Sequence, residues 1–435
     1  MHASSYGKAC ARLHSFSGTP SLPPSSWPFT IPIGFHGDAG AFSHQDSLYT
    51  ISWNSLIGQG RTAEKRFVFT ALRNSEMVAD TLDAAFRIMG WSFNSMLTGS
   101  FPGKNWYGRS STSGLLAGGW RGAVCQARGD WAFYTEVFRF PTWNSAERMC
   151  WLCKASSTIR ELAFSNFAPD AKWRSTRWSH ESYLAHLRSL GMIVPVLFLC
   201  ILGFRLECVM VDTLHTVDQG VASHIIGNVM WLIAVKRRGF GGTTQVENIK
   251  RLDKHMRQWY SRTRAEYKVQ GKLTKERVRT KAQWPKLKAK AAATRHLSAY
   301  AVSLIETFGT PADAQVRVIC QLLHRFYQIL SNESMFLSAS AKAEISKLGS
   351  DLCIVYSALS AKALREGVKM WKMLPKLHLV DHLCCWQATE SGNPRSYWTY
   401  ADEDLVGLLI EVAESCHPKT MAASALLKWM QVYYR

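Results

Sequence analysis

The stretch Ile31-Pro-Ile-Gly-Phe-His-Gly-Asp38 decides how the rest of the chain is read, because a strand-like run ends there on an acid. Residues 31–42 and 48–53 flank a polar turn at 43–47 and predict a hairpin. Arg66-Phe-Val-Phe-Thr-Ala71 reads as a third strand. Over residues 80–96, Leu82, Ala85, Phe86, Met89 and Phe93 recur at helical spacing. A Gly/Ser-rich loop is expected at 99–119. Ala123-Val-Cys-Gln-Ala127 is a fourth strand, within an extended run of residues 120–129 that ends at Asp130. Acids therefore close both the first and the fourth strand.

Further along, Leu206-Glu-Cys-Val-Met-Val211 predicts a fifth strand ending at Asp212. Residues 213–383 then show almost no strand signal and many helical stretches, 314–330 and 341–370 among them. After the loop Glu390-Ser-Gly-Asn-Pro394, a last helix over 401–416 sets Leu405, Leu408, Leu409 and Val412 on one face and carries Glu403 near its start. The expected fold class is α/β: a mixed sheet core interrupted by a large all-helical insertion. Its expected parts are a flexible leader (1–26), a five-stranded first part of the core (27–212), a basic helical insertion (213–390) and C-terminal helices completing the core (391–435).

Composition excludes several classes. With 435 residues, 47% of them hydrophobic and 19% charged, the chain is globular and can bury a large core. A net charge of +20 favours a polyanionic partner. The 11 cysteines are too few and too scattered for a disulfide framework, and several lie in apolar runs, which points to a reducing intracellular compartment. The opening residues lack the apolar core of a signal peptide. The longest apolar run, 192–204, contains a proline and falls short of the ~20 residues that span a bilayer, so no membrane partner is expected. Exposure of that run on the folded surface would favour a membrane-associated protein instead.

Lysine and arginine far outnumber acids between Lys236 and Arg295, with Trp259, Tyr260, Tyr267 and Trp284 interleaved. Such a stretch can follow a phosphate backbone while its rings stack on bases. The expected nucleic-acid contacts are Lys250, Arg251, Lys254, Arg257, Arg262, Arg264, Lys268, Lys272, Lys275, Lys286, Lys288 and Lys290. A solvated helical arm is the plainer reading of the same residues.

Carboxylates gathered from separate elements are how proteins hold two divalent ions against a phosphodiester. Asp38, Asp130 and Glu403 are the candidate catalytic and metal-ligating set, for two Mg2+ or Mn2+ ions, with Asp402 a neighbour that helical phase does not exclude. Asp212-Thr-Leu-His215 competes: Asp212 and His215 could share a metal or simply hydrogen-bond at a helix N-terminus. Cys150-Trp-Leu-Cys153 has the spacing of a zinc knuckle, but no second such pair follows. His180 and His186 lie nearest in sequence, and packing of two thiols is the plainer expectation. Lys376-Leu-His378, with Asp381 and His382 beyond it, could line the acid site, His378 near a phosphate; a pair of interior or surface histidines is the plainer reading.

Taken together, Gly37-Asp38, Gly129-Asp130-Trp131, Cys150-x-x-Cys153, Asp212-x-x-His215 and Asp402-Glu403 resemble eukaryotic cut-and-paste DNA transposases with a DDE/D-type, RNase H-like catalytic domain, in the style of the CACTA and KDZ groups. The resemblance implies DNA cleavage and strand transfer with Asp38, Asp130 and Glu403 as the triad, DNA as partner, self-association across two DNA ends, and a nuclear location. It also implies a truncated element, because no DNA-binding zinc finger or helix-turn-helix precedes the first strand. A catalytically inactive, transposase-derived nucleic-acid-binding protein is the alternative. A DEDD-type exonuclease would carry an acid two residues after Asp38, where Gly40 stands.

Overall fold

The computed structural model describes residues 22–281 and 283–433. Strand β1 (Thr30–Ala41) turns back into β2 (Ser47–Ser55), and β2 pairs antiparallel with β3 (Phe67–Arg73). At the turn Asp46 receives Arg73 Nε at 2.5 Å and the Ser75 amide at 3.1 Å, which ties the hairpin to the end of β3. Helix α1 (Thr81–Thr98) follows, burying Phe86, Met89, Phe93 and Leu97 at the predicted spacing. The predicted loop at 99–119 is instead mostly a second hairpin, β4 (Ser100–Lys104) with β5 (Ser110–Leu115). Strand β6 (Arg121–Arg128) then enters the main sheet parallel to β1, giving the order β3-β2-β1-β6.

The expected fifth strand is reduced to one parallel bridge, Ala127 with Val209, because residues 206–208 wind into a helical turn. A side chain replaces the next strand. Gln387 donates Nε2–H to the Val209 carbonyl at 2.8 Å and accepts the Val211 N–H at 2.7 Å, so the sheet edge is closed without a ladder.

Helices cover both faces. Residues alternate across a strand, so Phe35, Tyr49 and Ile51 join the large core that includes α1 while Leu48 and Ala71 face the other way. That second face receives the last two helices of the chain. Between lie α2 (Trp131–Phe138), α3 (His180–Ser189), a wide π-helical segment at Leu214–Ala222, and α4 (Ser223–Trp231), every residue of which is buried. The turn after α4 packs against α5 (Gln245–Thr263), α4 itself packs against α6 (Ala291–Phe308) and α7 (Ala314–Asn332), and α8 (Ala339–Arg365) lies on α7. Then come α9 (Pro375–His382), α10 (Tyr400–Glu414) and α11 (Met421–Tyr433). One continuous apolar cluster runs from Ile33 and Phe35 in the sheet through α4 to Leu377. The helical region therefore shares the core of the sheet.

The expected leader (1–26) falls largely outside the described residues. Its last part packs: Leu22 is buried with Leu97, Ala123 and Cys125, and Pro24–Phe29 forms a short helix. The apolar run 192–204 divides, with Val196, Leu197, Phe198, Ile201 and Phe204 buried and Ile193, Leu199 and Leu202 exposed. Among the described residues no helix is long and apolar enough to cross a membrane.

Beneath α10 the sheet is polar. His36, Ser52, Asn54 and Arg128 are all buried there. Asp402, in the first turn of α10, accepts Arg66 Nε at 2.7 Å and Arg128 Nη2 at 3.2 Å, and Arg128 also donates to Asn54. Burial alone would raise the Asp402 carboxyl, but the Arg128 and Arg66 charges hold it far below the carboxylate range. Removing one partner of such a buried set leaves charge unpaired and costs about 3–5 kcal/mol. Asp402→Ala is therefore expected to lower the free energy of unfolding in urea by about that much, whereas Asp404→Ala, at an exposed neighbour, changes it by less than about 0.5 kcal/mol. A depressed carboxyl stabilises the fold above its ordinary value, near pH 4, and loses that contribution as pH falls through the folded value. The gap between wild type and Asp402→Ala should accordingly be full at neutral pH and shrink in strong acid; equal losses for the two variants would refute the anchor.

Candidate active site and metal centre

Parallel pairing of β1 and β6 brings the first two acids together. The last paired residues are His36 and Arg128; Asp38 lies two residues farther along β1, opposite Thr50 of β2, and Asp130 two residues past Arg128, just beyond the end of β6. Asp130 caps α2, its Oδ1 accepting the Phe133 N–H at 2.7 Å. The Phe133 ring then presses on both strands: a Cβ at Gly37 would sit 2.1 Å from it, and one at Gly129 2.3 Å. Only glycine lets the first turn of α2 approach this closely. Burial raises the Asp38 carboxyl; His36 and the Ala39 N–H, at 2.8 Å, draw it down, and the Asp130 charge pushes it up again.

Glu403 joins them from α10, one residue past the Asp402 anchor. Burial first, then the Asp38 charge, push its carboxyl up to about 8. Its Oε1 is buried without a hydrogen bond and faces His215 Nε2 at 3.6 Å. Burial would lower His215, but its Nδ1–H donates to Asp212 Oδ2 at 2.8 Å and that charge lifts it to about 9. Asp212 is fully engaged as an anchor. It accepts the Leu214, His215 and Thr399 N–H groups at 3.1, 2.8 and 2.9 Å, tying the π-helical segment to the start of α10. Of the two readings of Asp212-x-x-His215, the structure has the hydrogen-bonded turn.

A cleft of about 520 Å³ opens here, lined by Asp130, Asp212, His215 and Lys376 with Trp131 and Trp143 as apolar walls. Lys376 Nζ donates to the His215 carbonyl at 2.8 Å. Asp38 thus acts electrostatically on Glu403 and feels the Asp130 charge, while His215 lies within reach of Asp38, Asp130 and Glu403. Asp402 is withdrawn from the candidate ligands, because its two arginine partners already hold it.

A second centre lies beside the cleft. Cys150, Cys153, His378 and His382 are all buried, and one ligand atom from each lies within 4.8 Å of the others. His378 and His382 stand one turn apart on α9, so both rings leave the same face. Cys153 Sγ is 3.2 Å from His378 Nε2, while His378 Nδ1 and both nitrogens of His382 have no hydrogen-bond partner. A tetrahedral zinc, with S at about 2.3 Å and N at about 2.0–2.1 Å, needs four such donors in this arrangement. The four residues fit a metal such as zinc. Trp173 and Trp386 wall the histidines, and Asp381 is occupied by Arg174 at 2.7 and 2.9 Å.

His378 and His382 are interior histidines, as their plainer reading had them, and they stand with the two cysteines. The nearest histidines in sequence are engaged elsewhere: His180 Nδ1 accepts the Leu206 N–H, and His186 stacks on Trp178. His378 and His382 were missed as ligands because they follow Cys153 by more than 200 residues (225 for His378), and an i, i+4 histidine pair is the one local signal they carry.

The basic stretch is corrected in part. Trp259 and Tyr260 are buried in the core and cannot stack on bases. Arg251 binds the Phe240 carbonyl and Glu247, and Arg257 binds the Val269 and Gly271 carbonyls, so both brace the protein itself. Lys250, Lys254, Arg262, Arg264, Lys268, Lys272, Lys275, Lys286, Lys288 and Lys290 form no ion pair within 4 Å among the described residues. No family model matches the chain, and no curated protein matches it either.

Elemental analysis should find about one zinc per chain in protein purified without chelator. Cys150→Ser with His382→Ala should lose it, and chelation should lower the wild-type Tm but not that of the double variant. A metal-free wild type that refuses added zinc would refute the centre.

Proposed function

We propose that the protein is a transposase-like, metal-dependent DNA nuclease and strand transferase in which Asp38, Asp130 and Glu403 hold two Mg2+ or Mn2+ ions. One observation carries this reading: Glu403, at the start of α10, is partly buried against the Asp38 charge, and among the described residues its Oε1 has no hydrogen bond. A carboxylate held against another in this way calls for a cation. The sheet order, with β1 central and parallel to β6, supports the RNase H-like core of the resemblance.

On this reading bound divalent ions supply an activated water or 3′-hydroxyl and stabilise the leaving oxygen. The chain's own groups prepare the place. Asp402 fixes the helix that presents Glu403, Asp212 orients His215, and His215 keeps a proton close to Glu403. Lys376 sets a positive charge at the cleft wall, where a phosphate would enter.

The same His215 favours a second reading. A cation beside Glu403 can stand in for the metal, as in a protein that retains the fold and binds nucleic acid without cutting it. Nicking of supercoiled plasmid and processing of labelled duplex ends separate the two. The nuclease reading expects cleavage that needs Mg2+ or Mn2+ and falls at least about 100-fold in Asp38→Asn and Asp130→Asn. Folded wild type that binds DNA but shows no cleavage above those variants would decide for the inactive protein.

A further inference from the structure

Beyond the cleft, Lys376 continues into a set of lysines brought together by two segments distant in sequence. Residues 284–288 are pinned to the buried helix α4: Leu287 N–H donates to the Ser223 carbonyl at 2.8 Å, and Pro285 O lies 3.1 Å from His224 Nδ1. The segment before α9 contributes the other part. Lys369 Nζ and Lys372 Nζ stand over the Trp284 ring at 5.7 and 5.4 Å, so the indole aims both ammoniums. Lys286, Lys288, Lys369 and Lys372 are exposed, and none of them, nor Lys376, forms an ion pair with an acid within 4 Å among the described residues.

Like charges are held close here at a cost. Burial, then Lys288 and Lys372, lower Lys286, while burial, then Lys286, lower Lys376. A rigid row of uncompensated cations leading to an acid cleft matches the spacing problem of a phosphate backbone, which carries charge at regular steps past a reacting bond.

We propose that Lys286, Lys369 and Lys372, aimed by Trp284, form the track along which the phosphodiester backbone of a DNA strand runs to the cleft at Lys376. The inference rests on the nuclease reading for its direction, since the strand is placed so that it ends at the acids. Trp284 acts as a positioning residue, and the three lysines make the contacts.

The test is fluorescence anisotropy of a labelled single-stranded oligonucleotide against the full chain in EDTA, across a salt series. The triple variant Lys286→Gln/Lys369→Gln/Lys372→Gln should bind about 10- to 100-fold more weakly at 0.1 M salt. Its slope of log K against log salt should be shallower by about 2, near 0.7 for each lost phosphate contact. An equal charge change elsewhere, at lysines outside the basic stretch, Lys104→Gln/Lys342→Gln/Lys419→Gln, should cost less than about threefold. Trp284→Leu should weaken binding, and Trp284→Phe should recover most of it, which a merely structural indole would not show in folded protein. An unchanged slope in the track variant, or an equal loss in the control, would overturn the proposal. Because EDTA removes catalysis, an inactive acid cluster leaves this result intact, while a failed track leaves divalent-dependent cleavage still sensitive to Asp38→Asn.

Discussion

A buried carboxylate, Asp402, carries the arrangement of this molecule. It bonds Arg66 ahead of β3 and Arg128 at the end of β6, so a helix from the far end of the chain is locked onto the polar face of the sheet. Because Glu403 is the next residue, the ion cluster that fixes α10 also fixes the acid that faces His215, a residue of the cleft wall. Charged groups this deep contribute little net stability compared with an apolar replacement, but they penalise every misplacement. Position is what they specify.

A second constraint works from the other side. The Cys150-x-x-Cys153 loop reaches α9 through His378 and His382, and the same helix carries Lys376 into the cleft. A metal at that centre would couple the loop after α2, which Asp130 caps, to the lysine facing it. Asp212 adds the third tie, joining the π-helical segment to the start of α10. Cleft geometry thus depends on three cross-links between segments distant in sequence, and none of them is a strand or a disulfide.

This explains which parts were legible in the chain. The first hairpin, α1, β6 and α10 follow from alternation and helical spacing, which are local. Asp38 and Asp130 stood out in the sequence as acids following strand-like runs, and the parallel register of β1 and β6 sets each two residues beyond the last paired residues. The fifth strand was misread because Gln387, 178 residues beyond Val209, supplies the hydrogen bonds a neighbouring strand would make. The choice between Asp402 and Glu403 was equally hidden, since helix phase treats neighbours alike and only Arg66 and Arg128 distinguish them. Trp259 and Tyr260 show the same limit: amid lysines they read as stacking rings, yet α5 turns them into the core.

The measurement that bears most directly on the central claim is anomalous diffraction from crystals soaked in Mn2+. Our account predicts two peaks about 3.5–4 Å apart among Asp38, Asp130 and Glu403, with His215 turned from Glu403 and Asp402 still on its arginines. Ordered carboxylates with no peak between them, and Glu403 still facing His215, would contradict it.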